Sequence, residues 1–230
     1  MQSVSVENLR KMDLFKNASE RTLTEICRLA RIKRYPKGSY LFMDKDPLDS
    51  VFIGFSGNFI LYKIGDKGNK RIIFILGEGQ ILNDQLTKDL PSVINCESFE
   101  DSSVLAIGKG AFLDIISRDF HIMQAVLNQY TLKLRRTFRQ LKNSSTSVGM
   151  DKKVAAKIYA LGRQYGSRTD RGILINLPLT VTHMSEMLGA QRETVSRTMK
   201  KLAGSKLIIY EQRKIIVPDI ELLADFYKKE

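Results

Sequence analysis

The sequence predicts an α+β fold in three successive parts: a barrel or sandwich of short strands, one long helix, and a C-terminal helix-turn-helix with a hairpin wing. Three observations predict it. Between Tyr35 and Ile107, short apolar or alternating runs are separated by Gly and Asp/Asn punctuation. From about Asp119 to Asn143, apolar residues recur at spacings of three and four. After Leu179, two helical patterns meet at Gly189 and are followed by two strand-like runs.

The composition bounds the partners. The chain has 230 residues, of which 43% are hydrophobic, enough for two ordinary domains with their own cores. Apolar runs such as Ile72 to Leu76 and Leu207 to Tyr210 fall far short of the roughly 20 residues that cross a bilayer, so no membrane span is expected. Met1 to Phe15 lacks the basic start and continuous apolar stretch of a secretory signal, which implies a cytoplasmic location. The formal net charge is +12, and residues 151–230 carry 15 Lys+Arg against 9 Asp+Glu, half of that excess in about a third of the chain. Lys133, Arg135, Arg136, Arg139 and Lys142 add a basic band with no acid between residues 121 and 150. Such a balance favours a polyanion, because neutralised phosphates release counterions. An anionic membrane surface or an acidic protein are the alternatives. No Ser/His/Asp, metal or phosphate-loop constellation occurs, so an enzyme is not expected.

Taken in order, the elements begin with a helical lead-in. Leu9, Met12, Leu23, Ile26, Cys27 and Ala30 recur at helical spacing, with Ser19 and Thr22 placed to cap the second helix. The runs Tyr40–Phe42, Val51–Ile53, Phe59–Tyr62, Ile72–Leu76 and Val104–Ile107 are the strands. In the long helix, Met123, Leu127, Tyr130, Leu134, Phe138 and Leu141 form an a/d stripe nearly three heptads long. A helix of this length extends about 37 Å. Its seam suits a partner helix in a homodimer, against the alternative of burial within one chain. Asn143 to Gly149 is small and polar, as expected of a hinge. A helix from Lys152 to Tyr165 with Val154, Ala155, Ile158 and Leu161 on one face follows, then a strand from Ile173 to Leu177. The expected domains are therefore residues 1–118, 119–149 and 150–230.

The last domain carries the most specific pattern. Thr182 is placed to cap a short helix with Met184, Met187 and Leu188 on its inner face, Gly189 permits a left-handed turn, and a second helix runs from about Gln191 to Ala203. Val195, Met199 and Leu202 form the inner face of that second helix, leaving Arg192, Glu193, Ser196, Arg197 and Lys200 outward. Arg pairs bidentately with guanine O6 and N7, Glu accepts from cytosine N4, and Ser can approach a thymine methyl. Phosphate attraction alone disfavours a Glu among arginines, so Glu193 points to base reading; a surface ion pair with Arg197 at i,i+4 is the competing account. Leu207–Tyr210, a four-residue turn Glu211–Lys214 and Ile215–Val217 form the wing, with Arg213 and Lys214 at its tip against phosphates. Thr182, His183, Gln191, Thr194 and Lys200 are further candidate phosphate contacts.

The run Gln191-Arg192-Glu193-Thr194-Val195-Ser196-Arg197 resembles the recognition helix of the cyclic-AMP receptor protein/FNR (Crp/Fnr) family of transcription regulators, and the order of parts agrees over nearly the whole chain. The resemblance implies an N-terminal cyclic-nucleotide-binding-type β-roll, that is, a double-stranded β-helix or jelly-roll, then a long dimerisation helix and a C-terminal winged helix-turn-helix. It implies a homodimer on duplex DNA, RNA polymerase as a further partner, and a small-molecule effector. By this resemblance Glu193 and Arg197 read the G·C pairs of an inverted repeat of TGTGA or TTGA type, with Arg192 and Ser196 setting the outer bases.

The expected effector pocket comprises Asn83, Asp84, Ser92, Thr137 and Phe138. Asn83-Asp84 stands where cyclic-nucleotide members carry Gly-Glu, and no Arg occurs between Arg71 and Arg118, so cyclic AMP is disfavoured. An iron-sulfur cluster needs about four cysteines, and only Cys27 and Cys96 are present. Their separation suggests neither zinc nor a disulfide, and each reads as a small core residue with thiol redox sensing as the alternative. The two histidines, His121 and His183, read as surface or capping residues, so no haem is expected. The competing function is a protein-interaction or ligand-binding regulatory subunit without sequence-specific DNA binding.

Overall fold

The computed structural model describes residues 4–143 and 148–228, with the side chains of Lys142 and Asn143 outside that description. The chain divides into two compact units, one within residues 1–138 and one within residues 139–230.

The first unit opens with helices α1 (Val6–Arg10) and α2 (Glu20–Leu29). Ser5 and Ser19 cap them, each hydroxyl accepting from a backbone N–H three residues on. Strands β1 (Arg31–Tyr35), β2 (Tyr40–Phe42), β3 (Ser50–Ser56), β4 (Phe59–Ile64), β5 (Lys70–Leu76), β6 (Asn95–Ser98) and β7 (Ser102–Gly108) follow, then helices α3 (Lys109–Arg118) and α4 (Phe120–Asn143). Two antiparallel sheets result, in the orders β1-β7-β3 and β2-β6-β4-β5, and they make the β-roll.

Strand β3 serves two cores. Val51, Ile53 and Phe55 pack with Leu23 and Ile26 of α2, Phe112 of α3 and Ile122 of α4. Phe52, on the other face, packs between the sheets with Phe42, Phe59, Leu61 and Val104. Successive side chains of a strand point to opposite faces, so a strand covered on both sides needs a continuous apolar run. Gly54 completes the arrangement: its N–H donates to the Gln80 carbonyl, and any Cβ there would strike the Gly77 carbonyl. The turn at residues 77–80 thus lies directly on β3 and leads into Ile81, which bridges to Ile53.

Helix α4 departs from the expected single stripe. Ile122, Val126 and Tyr130 pack on the helical core of their own unit. Leu127, Leu134, Phe138 and Leu141 are 61%, 53%, 59% and 65% exposed, so the outer seam is uncovered. Met123, at the N-terminal end of the same seam, is half-buried. Tyr130 stands about 40–60° round the helix from Leu127 and Leu134, at the edge where the inner, packed stripe meets the outer, exposed one. Of the expected hinge, residues 144–147 lie outside the described residues.

The second unit contains α5 (Met150–Tyr165), β8 (Gly166–Thr169), β9 (Gly172–Ile175), α6 (Val181–Leu188), α7 (Arg192–Gly204), β10 (Ile209–Glu211), β11 (Lys214–Val217) and α8 (Ile220–Lys228). Its strands form one antiparallel sheet in the order β10-β11-β9-β8. Val154, Ala155, Ile158 and Leu161 of α5 are buried, as are Val195, Met199 and Leu202 of α7 and Leu223 and Ala224 of α8. Tyr159 and Tyr227 bring α5 and α8 together, their ring centroids 5.4 Å apart.

Candidate functional site

Helix α6 starts two residues earlier than the sequence suggests. Thr180, not Thr182, is its N-cap: the Thr180 hydroxyl accepts from the His183 N–H at 3.1 Å, and His183 Nδ1 accepts from the Thr180 N–H at 3.3 Å. This reciprocal pair satisfies two otherwise orphaned donors. Thr182 falls inside the first turn, exposed, with its carbonyl accepting from the Ser185 hydroxyl. His183 is thus a capping residue at the helix entry. Met184, Ser185 and Met187 face inward, whereas Leu188 is only half-buried. Gly189 adopts φ 60° and ψ 40°, the left-handed conformation that ends the helix and turns the chain into α7.

Gln191 is the N-cap of α7 and makes no side-chain cap hydrogen bond, so the first N–H groups of that helix are left without a capping side chain. The inward face is Val195, Met199 and Leu202. Arg192, Glu193, Arg197 and Lys200 are exposed, and Thr194 and Ser196 are half-buried beside them. The nine ion pairs found among the described residues do not include one between Glu193 and Arg197. The carboxylate and both guanidinium groups therefore face outward without mutual neutralisation. Lys201, on the flank, instead pairs with Asp151 of α5 at 3.0 Å. The hydrogen bond from Lys201 holds the Asp151 carboxyl below the usual carboxylate range, against a smaller opposing effect of burial.

The wing turn is tighter than four residues. Glu211 pairs with Lys214 in the β10–β11 register, leaving Gln212 and Arg213 as a two-residue turn with φ of 48° and 62°. Both central residues with positive φ make the turn that matches the right-handed twist of a hairpin. Arg213 and Lys214 are exposed at its tip. Arg171, in the turn between β8 and β9, holds the wing through its Nη1 at 2.6 Å from Glu211 Oε1. That hydrogen bond also lowers the Glu211 pKa.

The expected effector residues are placed differently from one another. Asn83 is 2% exposed; its Oδ1 accepts from the Phe52 N–H at 2.7 Å and its Nδ2 donates to the Ser50 carbonyl at 3.0 Å. Asp84 accepts from the Val93 N–H at 2.8 Å and from the Ser92 hydroxyl at 3.4 Å, and Ser92 also donates to the Ile94 carbonyl. These groups are brought together, but their polar atoms are engaged with the local backbone, and the aromatic core fills the space between the sheets. Thr137 donates to the Lys133 carbonyl within α4. Phe138 is a correction: it is exposed on the outer seam with Leu134 and Leu141, so it does not line a pocket against the sheets. Asn83, Asp84 and Ser92 themselves offer a cyclic phosphate no cation; the ammonium that reaches Asn83 is that of Lys133 on α4.

A set of α4 residues outside the sequence-based expectation makes the contacts at this place. Gln129 Nε2 donates to the Gly79 carbonyl at 2.7 Å, and its Oε1 accepts from the Ile81 N–H at 2.9 Å. Lys133 Nζ donates to the carbonyls of Ile81 at 2.6 Å and Asn83 at 3.3 Å, and lies 4.9 Å from the centroid of the Tyr130 ring. The Tyr130 hydroxyl donates to the Asn83 carbonyl at 3.2 Å. Burial pulls the Lys133 pKa down to about 8, opposed by the field of Asp84. A sequence signal existed: Gln129 and Lys133 continue the Ile122 and Val126 series at spacings of three and four, polar residues where the inner face of an amphipathic helix is apolar.

Cys96 is fully buried between the sheets and Cys27 is half-buried on α2; burial raises the pKa of both thiols. No group of three His, Cys, Asp or Glu residues able to hold a metal occurs among the described residues, and none of the described helices is long and apolar enough to cross a membrane.

Two family models match the chain: a cyclic nucleotide-binding domain over residues 32–119 and a Crp-like helix-turn-helix domain over residues 152–226. Among curated proteins, the CRP-like cAMP-activated global transcriptional regulator of Mycobacterium tuberculosis is 20% identical over 219 residues, covering 95% of this chain and 97% of the relative. The probable transcriptional regulator flp of Lacticaseibacillus casei is 23% identical over 218 residues, covering 93% and 94%. Among solved structures, a mutant of CooA from Carboxydothermus hydrogenoformans superposes with a TM-score of 0.78 at 19% identity, covering 95% of this chain and 97% of that one. With both domain types in this order, flanking the long helix α4, the chain belongs to the Crp/Fnr family of DNA-binding transcription regulators.

Proposed function

We propose that the protein acts as a homodimer on an inverted repeat of TGTGA or TTGA type, with Arg192, Glu193, Ser196 and Arg197 of α7 reading base edges. The observation that carries this reading is the outward face of α7, where a carboxylate stands exposed between two arginines without pairing to Arg197. Lys200, Arg213 and Lys214, with Thr182, His183, Gln191 and Thr194 near the helix starts, contact phosphates and set the register without carrying sequence information. The uncapped N-terminus of α7 adds backbone donors for the same purpose. Residues 1–118 form the sensor, residues 119–149 the dimerisation helix and hinge, and residues 150–230 the reader. Two copies meet along Leu127, Leu134, Phe138 and Leu141, and twofold symmetry sets the half-sites about 34 Å apart. RNA polymerase is the further partner that family membership brings. The effector is a small molecule other than cyclic AMP, since the groups at Asn83, Asp84 and Ser92 serve the fold.

Affinity for TGTGA and TTGA palindromes against a scrambled duplex tests base reading, and equal affinity for all three rejects it. Arg197→Ala is expected to lose about 1–3 kcal/mol of discrimination at its guanine. A uniform weakening on every duplex would make Arg197 a phosphate contact instead.

A further inference from the structure

Beside α4 and next to the turn at residues 77–80 lies a cleft of about 30 Å³ lined by Gln80, Gln129, Leu132, Lys133 and Arg136. Two of these five residues are cations and two are carboxamides; none is an acid. Arg136 is half-buried, and no hydrogen bond or ion pair joins its guanidinium to any other described residue. Its five N–H donors, set in a planar fork, thus have no acceptor among the described residues. Lys133, one helical turn away, has carbonyl partners but no carboxylate within ion-pair distance among the described residues. The acid whose field reaches it, Asp84, has its oxygens turned to the Val93 N–H and the Ser92 hydroxyl. Two like charges therefore share a low-dielectric cleft, which is unfavourable until a negative group enters.

We propose that this cleft is an oxyanion site, in which the guanidinium of Arg136 and the ammonium of Lys133 hold the carboxylate or phosphate head of a small ligand. The Gln80 carboxamide, whose Oε1 already accepts from the Gly77 N–H at 2.9 Å, turns its amino group to the same head. The cleft is shallow and open to solvent, so only the charged head reaches the two cations and the body lies outside, beside the exposed Leu132. Guanidinium pairs bidentately with either head group, which is the chemistry the two share. The repulsion from Arg136 is one of the causes that lower the Lys133 pKa, and a bound anion offsets it. Because Lys133 also holds the carbonyls of Ile81 and Asn83, occupancy acts on the contact between α4 and the turn that lies on β3. The site names the chemical class of the effector; it rests on the sensor reading for its regulatory meaning and on nothing in the DNA-reading helix.

The test uses the full chain without DNA, so that a failure of base reading leaves it unaffected. Sodium phosphate and sodium acetate are titrated in parallel, with ionic strength held by sodium chloride, while the unfolding midpoint is followed in the parent and in Arg136→Gln. One of the two anions is expected to raise the parent midpoint by about 2–4 °C, as a gain near 1 kcal/mol does in a chain of this size, and to leave the variant unmoved. Which anion acts separates a phosphoryl ligand from a carboxylate one. An equal rise in parent and variant is a general salt effect and overturns the site, as does no rise with either anion. In parallel, the ammonium resonance of Lys133 is expected to titrate at higher pH with the active anion present; an unchanged titration also overturns the proposal.

Discussion

At residue 119 a carboxylate ties three segments together. Asp119 is 6% exposed and accepts from the N–H groups of Ser19 at 3.1 Å, His121 at 3.2 Å and Ile122 at 3.3 Å, so it caps α4 and holds the start of α2. Burial acts to raise its pKa, but the hydrogen bonds from the Thr22 hydroxyl and the three N–H groups outweigh it and hold the pKa below the ordinary value of 3.8. A depressed folded-state pKa contributes stability that is fully present above the unfolded-state value and is lost as pH falls through the folded one. Asp119→Asn keeps the size but removes the charge, and is expected to cost about 1 kcal/mol at pH 7. That difference should narrow as the pH is taken below 3.8, toward about 2. Urea unfolding of both proteins across that range checks it, and a gap independent of pH would assign the effect to shape alone. At the same scale, residue chemistry made the reader legible: Gly189 marks the turn, and the apolar positions Val195, Met199 and Leu202 leave one polar face. It also misled at the cap. Thr180 and Thr182 are both capping types, and only the reciprocal bond with His183 selects Thr180.

At the scale of elements, helices were read more fully than strands. Helices α2, α4, α5, α6 and α7 follow from local periodicity, and their ends from caps and glycines. Five elements fall outside the expectation. Strands β1 and β6 exist by pairing, β1 with β7 and β6 with β2 and β4. Helix α3 begins at Gly108 with no side-chain cap and contains Gly110, so its start carries no local signal. Strand β8 is Gly-Ser-Arg-Thr, exposed throughout, and exists because it pairs with β9. Helix α8 was legible in principle, from Asp219 accepting the N–H groups of Glu221 and Leu222 and from the spacing of Ile220, Leu223, Ala224 and Tyr227. The long helix supplies the element-scale prediction. Leu134 is 53% exposed on the α4 seam, so Leu134→Glu leaves the fold of one copy undisturbed but places a charge in the proposed interface. Sedimentation is expected to show a shift from dimer to monomer at micromolar concentration with the circular dichroism spectrum retained. A dimer unaffected by the change would move the interface off this seam.

For the whole molecule, charge is the governing quantity. The net +12 is shared evenly between residues 1–150 and 151–230, but the second stretch is shorter and carries the exposed Arg192, Arg197, Lys200, Arg213 and Lys214. Each phosphate neutralised contributes about −0.9 to the slope of log affinity against log salt. A dimer making 6–10 such contacts is expected to lose roughly 10³–10⁵ in affinity between 50 and 200 mM salt. Fluorescence anisotropy with a labelled duplex measures the slope, and Lys214→Ala should lower its magnitude by about 1 per copy without altering base preference.

The order of parts, the helix-turn-helix and the residues on its outer face are legible from local pattern, because helical period, strand alternation and turn chemistry are properties of neighbouring residues. Which groups stand side by side in the sensor depends on contacts between residues far apart in the chain. The hydrogen bond from Lys133 to Ile81 spans 52 positions, and the engagement of Asn83 with β3 spans 31. No local pattern encodes such a pairing, since it depends on how two sheets and a helix close around a shared core. For that reason Asn83, Asp84 and Ser92 prove to be engaged with neighbouring backbone, and Lys133 and Arg136, cations without a carboxylate partner among the described residues, lie on the face of α4 that the apolar period alone would have assigned to packing.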